Sequence, residues 1–174
     1  EYEYSYRVAE EIFVDPYAGK LSGTEKFHEI KTEEEHQVRG VLYVDDYDWE
    51  GDKRPCIPMH RVVAYSLHVR GFTKHSSSRV KNKGTFAGLM EKIPYMVELG
   101  INQIQCMPVY EFESSSKYVN YWGYGPGYYF APKAAYAAGD PVTELKDMVK
   151  ACHRAGIEVV LEMPFEGNTP RIYM

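Results

Sequence analysis

The chain has 174 residues, 44% of them hydrophobic, enough to bury a real core in one domain or one and a half. Twenty Lys and Arg against twenty-five Asp and Glu leave a formal charge of -5 with no basic run, which argues against nucleic acid or an anionic membrane surface as partner and favours neutral polar substrates. No apolar stretch reaches the roughly 20 residues of a membrane span, and the residues from Glu1 onward carry no signal-peptide pattern.

Residues 1–58 read as short strands. Tyr2, Tyr4 and Tyr6 alternate, Ile12-Phe13-Val14 stops at Asp15-Pro16, and the run 41–44 stops at the acidic turn Asp45-Asp46-Tyr47-Asp48-Trp49. This is a piece of a β-rich module, in which Glu33-Glu34-Glu35 reads as a solvated loop. From Arg61 the rhythm changes to alternating strands and helices, the signature of parallel βαβ units. Residues 62–69 form the first expected strand. Residues 85–99 place Phe86, Leu89, Met90, Ile93, Met96 and Val97 on one helical stripe, with Pro94 expected to kink or restart the helix and Gly100 to cap it.

Residues 101–108 are the second expected strand, and 109–139 a long connection of the kind that usually has a job. Asp140-Pro141 then opens a helix whose buried stripe is Val142, Leu145, Val149 and Cys152 and which closes at Gly156, before a third strand over 157–163. Cys56, Cys106 and Cys152 lack metal-ligand spacing; two fall in apolar periodic segments, so buried thiols in a reducing compartment are expected, favouring a cytoplasmic over a secreted protein. No cofactor or metal site is expected.

Within the long connection, residues 118–130 read Tyr-Val-Asn-Tyr-Trp-Gly-Tyr-Gly-Pro-Gly-Tyr-Tyr-Phe. Glycine frees the backbone for sharp turns and proline stiffens it, so the rings sit on a shaped loop. Rings presented this way suit sugars, whose apolar C–H faces stack and whose hydroxyl rims hydrogen-bond. The same composition also fits rings that pack only against each other.

Four motifs in order carry a resemblance: Tyr65-Ser66-Leu67-His68-Val69-Arg70-Gly71-Phe72-Thr73; Gly84-Thr85-Phe86 with Lys92-Ile93-Pro94-Tyr95; Asn120-Tyr121-Trp122-Gly123-Tyr124-Gly125-Pro126; and Phe130-Ala131-Pro132. Over residues 61–163 the chain resembles the α-amylase superfamily of glycoside hydrolases, within it the pullulanases, isoamylases and glycogen-debranching enzymes. The resemblance implies an α/β fold. Residues 61–174 would be the first three βα units of a (β/α)₈ barrel, and residues 1–60 the end of a preceding β-sandwich module with its linker. It implies an enzyme of carbohydrate metabolism that hydrolyses α-1,6 branch links in glycogen, starch or pullulan. Its active site would lie at the C-terminal ends of the barrel strands. Tyr124 would stack under the sugar on the non-reducing side of the scissile bond, with Tyr121 and Trp122 in the same wall, and Glu162 at the end of the third strand would be a further substrate-binding residue, though not a catalytic one.

The acid and nucleophile of such an enzyme would sit on the fourth and fifth strands. Only three barrel strands fit before Met174, so the catalytic residues are expected beyond Met174, and hydrolysis by the 174 residues alone is not expected. Glu111, Glu113, Glu162 and Glu166, the carboxylates near strand ends, read as structural or solvated. His68 fits the family pattern, yet a histidine on a buried strand is more often a satisfied core residue than a ligand. Several positions depart from the pattern: Glu162 stands where the family has aspartate, Glu166 where it has asparagine, Gly167 where it has a sugar-touching histidine, Gly125 where pullulanases carry aspartate and Ser66 where debranching enzymes often have glutamate. A non-catalytic glucan-binding relative and a branching transferase are therefore the alternative readings. An arc of three barrel strands would also leave open sheet edges, through which self-association is expected.

Overall fold

The computed structural model describes residues 2–29, 38–114 and 119–165. Glu33-Glu34-Glu35, Glu166 and Gly167 lie outside them, as does Met174, the residue beyond which the catalytic groups are expected. The N-terminal strands are β1 (Tyr2–Tyr4), β2 (Tyr6–Val8), β3 (Glu11–Phe13), β4 (Leu21–Ser22) and β5 (Arg39–Leu42). β1, β5 and β4 form an antiparallel sheet in that order, with Tyr4 opposite Gly40, and β2 and β3 pair as a hairpin. Val14, Ala18 and Leu21 bury a small core with Tyr128 and Ala131.

The second part begins with β6 (Ala64–Leu67), α1 (Val69–Lys74), α2 (Phe86–Met90), α3 (Ile93–Glu98) and β7 (Gln103–Cys106). It continues with β8 (Tyr110–Phe112), β9 (Gly127–Pro132), α4 (Pro141–Arg154) and β10 (Glu158–Leu161). β6, β7 and β10 are parallel neighbours in one sheet, aligned so that Leu67, Cys106 and Leu161 lie abreast. The helices between them bury Phe86, Leu89, Met96, Met148 and Cys152 against Ile104 and Ile157.

Three expectations change in detail. The first strand stops at Leu67 because His68 caps α1: its Nδ1 accepts the Gly71 N–H at 2.9 Å, and this local bond outcompetes the extended preference of the β-branched run. The helix expected over 85–99 is two helices, since Pro94 has no N–H to give Met90 and restarts the chain near the first turn of α3. The restart shifts the helical phase, so Val97, expected on the buried stripe, is exposed. The connection 109–139 is not structureless. β8 and β9 pair antiparallel with a bulge at Tyr110/Glu111, and a 3₁₀ turn at Ala134–Tyr136 follows.

α4 starts as expected, with the Asp140 carboxylate accepting the Thr143 N–H at 2.9 Å and Pro141 in the first turn. The acidic segment after β5 lies along this helix. Tyr47 donates to Asp147 at 2.6 Å, Lys146 pairs with Asp45 at 2.5 Å, and His153 meets Asp52 at 2.5 Å. Among the described residues no helix is long and apolar enough to cross a membrane.

Candidate functional site

The C-terminal ends of the three parallel strands deliver three pieces to one side of the sheet: His68 after β6, the β8–β9 excursion after β7, and Glu162 after β10. The excursion has a buried base. Tyr110, Phe112 and Tyr136 are buried, and Phe27 from the N-terminal part stacks on Tyr136 at 6.0 Å between centroids. Tyr110 Oη bridges the carbonyls of Gly123 at 2.9 Å and Gly125 at 2.7 Å, while Asn120 Oδ1 accepts the Gly123 N–H at 3.0 Å. Gly123 is required here: its φ is +85°, and a Cβ would stand 2.5 Å from the Phe112 ring.

His68 is part of that base. With Nδ1 accepting from Gly71, the proton sits on Nε2, which donates to the Tyr121 carbonyl at 2.8 Å and lies 3.1 Å from Tyr136 Oη. Burial, with Arg70 adding to it, pulls the imidazole pKa below its usual value, so the ring is neutral and every polar atom is used. The satisfied-core reading of His68 therefore fits its contacts. Tyr121 stacks flat on it, 4.3 Å between centroids and 7° between planes, and meets Phe27 and Trp122 in T-shaped contacts. One face of Tyr121 is thus already occupied.

Trp122 and Tyr124 are different: 53% and 46% exposed, they stand open on the turn, as Phe130 does further along on β9, where it packs against Tyr17. The Tyr124 phenol donates to Glu162 Oε2, and Gln105 Nε2 donates to Glu162 Oε1 at 2.8 Å. That carboxylate bond, then burial, then the carboxylate's charge raise the phenol pKa, so Tyr124 stays protonated at neutral pH. The structure therefore brings Tyr121, Trp122, Tyr124 and Glu162 to one side of the sheet, and joins the last two directly.

The other carboxylates divide plainly. Glu111 is buried, pairs with Lys133 Nζ at 2.5 Å, and accepts from Thr24 Oγ1 and the Ala134 N–H at 2.9 Å each. Lys133 also donates to the Phe112 carbonyl at 2.6 Å and sits 4.3 Å from the Phe112 ring centroid. All of this is structural. Glu113 is exposed. Cys106 and Cys152 are buried thiols, the latter pushed up to about 12 by burial, and Cys56 is exposed. Among the described residues no group of His, Cys, Asp and Glu is gathered that could hold a metal. A cavity of about 800 Å³ lies elsewhere, where Lys20, Leu21 and Val41 face Ala137 and Asp140, and it touches none of the four predicted site residues.

Sequence reasoning missed Gln105, Asn120, Tyr110 and the Glu111–Lys133 pair. A signal existed for the first: in β7, Gln103 and Gln105 alternate with buried Ile104 and Cys106, and each reaches a glutamate on the neighbouring strand segment, Glu158 and Glu162.

Comparison with known proteins bears on this geometry. The family described as alpha amylase, catalytic domain, matches residues 67–166. The chain is 34% identical to the chloroplastic isoamylase 1 of Arabidopsis thaliana over 94% of its own length and 24% of the relative's. It is 32% identical to the glycogen operon protein GlgX homolog of Haemophilus influenzae, over 94% of this chain and 29% of that one. Among solved structures it resembles the GBS pullulanase SAP in complex with maltotetraose (TM-score 0.74, 27% identity, 92% of this chain and 24% of that one). It also resembles the pullulanase from Bacillus acidopullulyticus (TM-score 0.73, 29% identity, 97% of this chain and 22% of that one). The chain thus spans about a quarter of the length of the relatives it matches.

Proposed function

The chain belongs to the α-amylase catalytic-domain family, and from that premise we propose that it supplies the substrate-gripping part of an enzyme that hydrolyses α-1,6 branch links of α-glucans. In this reading residues 61–174 are the opening βα units of a (β/α)₈ barrel, and residues 1–60 are the end of a β-sandwich module and its linker. The observation that carries it is the pair of open rings, Trp122 and Tyr124, raised on a rigid base beside Glu162 at the C-terminal edge of a parallel sheet. A pyranose stacked on Tyr124 would gain about 0.5 to 1.5 kcal/mol, by analogy with aromatic pairs. Maltotetraose, bound in one of the pullulanases this chain resembles, is the natural probe.

Stacking positions a sugar; it does not break the bond. Retaining hydrolysis needs two carboxyl groups about 5 to 5.5 Å apart, one protonating the leaving oxygen and one attacking the anomeric carbon. Glu111 is committed to Lys133, and Glu162 to Tyr124 and Gln105, so neither is free for those roles. The resemblance places the acid and the nucleophile on the fourth and fifth barrel strands, so we propose that neither is among these residues and that this chain alone does not cleave. β6 and β10 each pair with β7 on one side only among the described residues, which supports association through their outer edges.

Titration of the 174-residue chain with maltotetraose, followed by NMR, tests the grip. Shifts at Trp122 and Tyr124 are expected, and saturation without them would remove the loop from the site. A reducing-end assay on the full-length protein with pullulan tests the linkage. Absence of any released ends would favour the non-catalytic glucan-binding reading, and chain transfer without hydrolysis the branching one.

A further inference from the structure

The geometry points to Glu162 as a positioning residue, one that sets the plane of the Tyr124 ring by tethering its phenol to the adjacent strand through Gln105. The inference rests on the reading of Tyr124 as a saccharide platform and adds how that platform is aimed. The backbone of the turn is held independently: Tyr110 fixes the carbonyls of Gly123 and Gly125, and Asn120 bonds the Gly123 N–H and, at 3.3 Å, the Tyr124 carbonyl. None of these bonds controls rotation about the Tyr124 side-chain torsions. The ring is nearly half exposed, and among the described residues Glu162 is the one hydrogen-bond partner of its phenol. A half-exposed ring tied at its far end keeps one orientation, and a ring ready in its bound orientation costs less entropy on binding.

Reach makes the residue type matter. Glu162 follows β10, one strand away from Gln105 in β7, and its two oxygens serve Gln105 and Tyr124 separately. Aspartate, shorter by one methylene or about 1.5 Å, could not span both. The tether also fixes the chemistry offered to a sugar. Because the phenol proton points at Glu162, the phenol oxygen presents only lone pairs outward, so Tyr124 accepts from a saccharide hydroxyl and does not donate to one.

The test uses the 174-residue chain with ring-labelled tyrosine, the Tyr124 signal being assigned by its loss in Tyr124→Phe. In Glu162→Asp the Tyr124 phenol is expected to titrate at lower pH than in the wild type, and maltotetraose to bind about five-fold more weakly. Glu162→Gln, which keeps the reach and an acceptor oxygen, should restore part of the affinity. In a Tyr124→Phe background, Glu162→Asp should cost no further affinity, since the tether is already gone. An unchanged Tyr124 titration in Glu162→Asp, or an equal loss of affinity with and without the phenol, overturns the inference. If the wild type binds no maltotetraose, the platform reading fails while the titration still decides the tether. If Glu162→Asp does not fold, Glu162→Ala, which removes the acceptor altogether, completes the same cycle with Tyr124→Phe.

Discussion

The aromatic excursion has a base and a rim built from the same residue types, and they behave as two materials. In the base, Tyr110, Phe112, Tyr136, Phe27 and the His68–Tyr121 stack are joined ring to ring, and the buried Glu111–Lys133 pair is wired to Thr24 and to the backbone at 112 and 134. At the rim, Trp122 and Tyr124 stand in the open and Glu162 holds a phenol. The same tyrosine chemistry serves as mortar where both faces are covered and leaves an open surface where one is not. Composition fits both readings of the run; ring-on-ring packing is seen in the base, and the open rings at the rim are those left for the proposed sugar contact.

If the division is real, damage to the two parts should separate into stability and binding. Lys133→Met strands the buried Glu111 charge and should cost about 3–5 kcal/mol of unfolding free energy in urea titrations, with much of it recovered in Glu111→Gln/Lys133→Met. A loss under about 1 kcal/mol would mean the pair is not a seal. Gly123→Ala forces a left-handed residue against Phe112 and should lower stability by at least about 1 kcal/mol, measured the same way, while weakening maltotetraose binding through the displaced loop.

Tyr124→Ala should do the reverse of Lys133→Met: stability within about 0.5 kcal/mol of wild type, affinity for maltotetraose down by up to about ten-fold. A large stability loss there would erase the distinction between base and rim. The smallest effect is a pH slope. His68 has a folded pKa below its ordinary value near 6.5, so the unfolded chain binds a proton more readily, and stability should fall as pH drops from about 6.5 toward the folded value. Above that window its neutral form is retained in both states and the contribution is constant. Comparing the pH dependence of unfolding with that of His68→Asn isolates the residue, and identical slopes would show that His68 does not titrate on unfolding.

Much of the path to these regions was legible along the chain. The strand and helix alternation, the Asp140-Pro141 helix start and the aromatic run can be read within a few residues of each other, because caps, turns and periodic stripes are short-range. The end of β6 at His68 was missed because a single side-chain cap outweighed a β-branched run, and exposed Val97 because a proline restart changes helical phase. Glu162 stood out in the sequence as a carboxylate at the end of the third strand and a departure from the family's aspartate, with nothing local to show that it would meet Tyr124.

Sequence alone determined that this is an α/β chain of the α-amylase family carrying rings suited to sugars, since motif order and local pattern are written in neighbouring residues. Which rings are covered, and which carboxylates are spent, was decided only in three dimensions. Tyr124 meets Glu162 across 38 positions and Gln105 meets it across 57. In the base, Thr24 donates to Glu111, one member of the sealing pair, across 87. Such contacts depend on which strands become neighbours, and burial, which turns a tyrosine into packing or leaves it as a surface, exists only once the sheet and its helices have closed over one side.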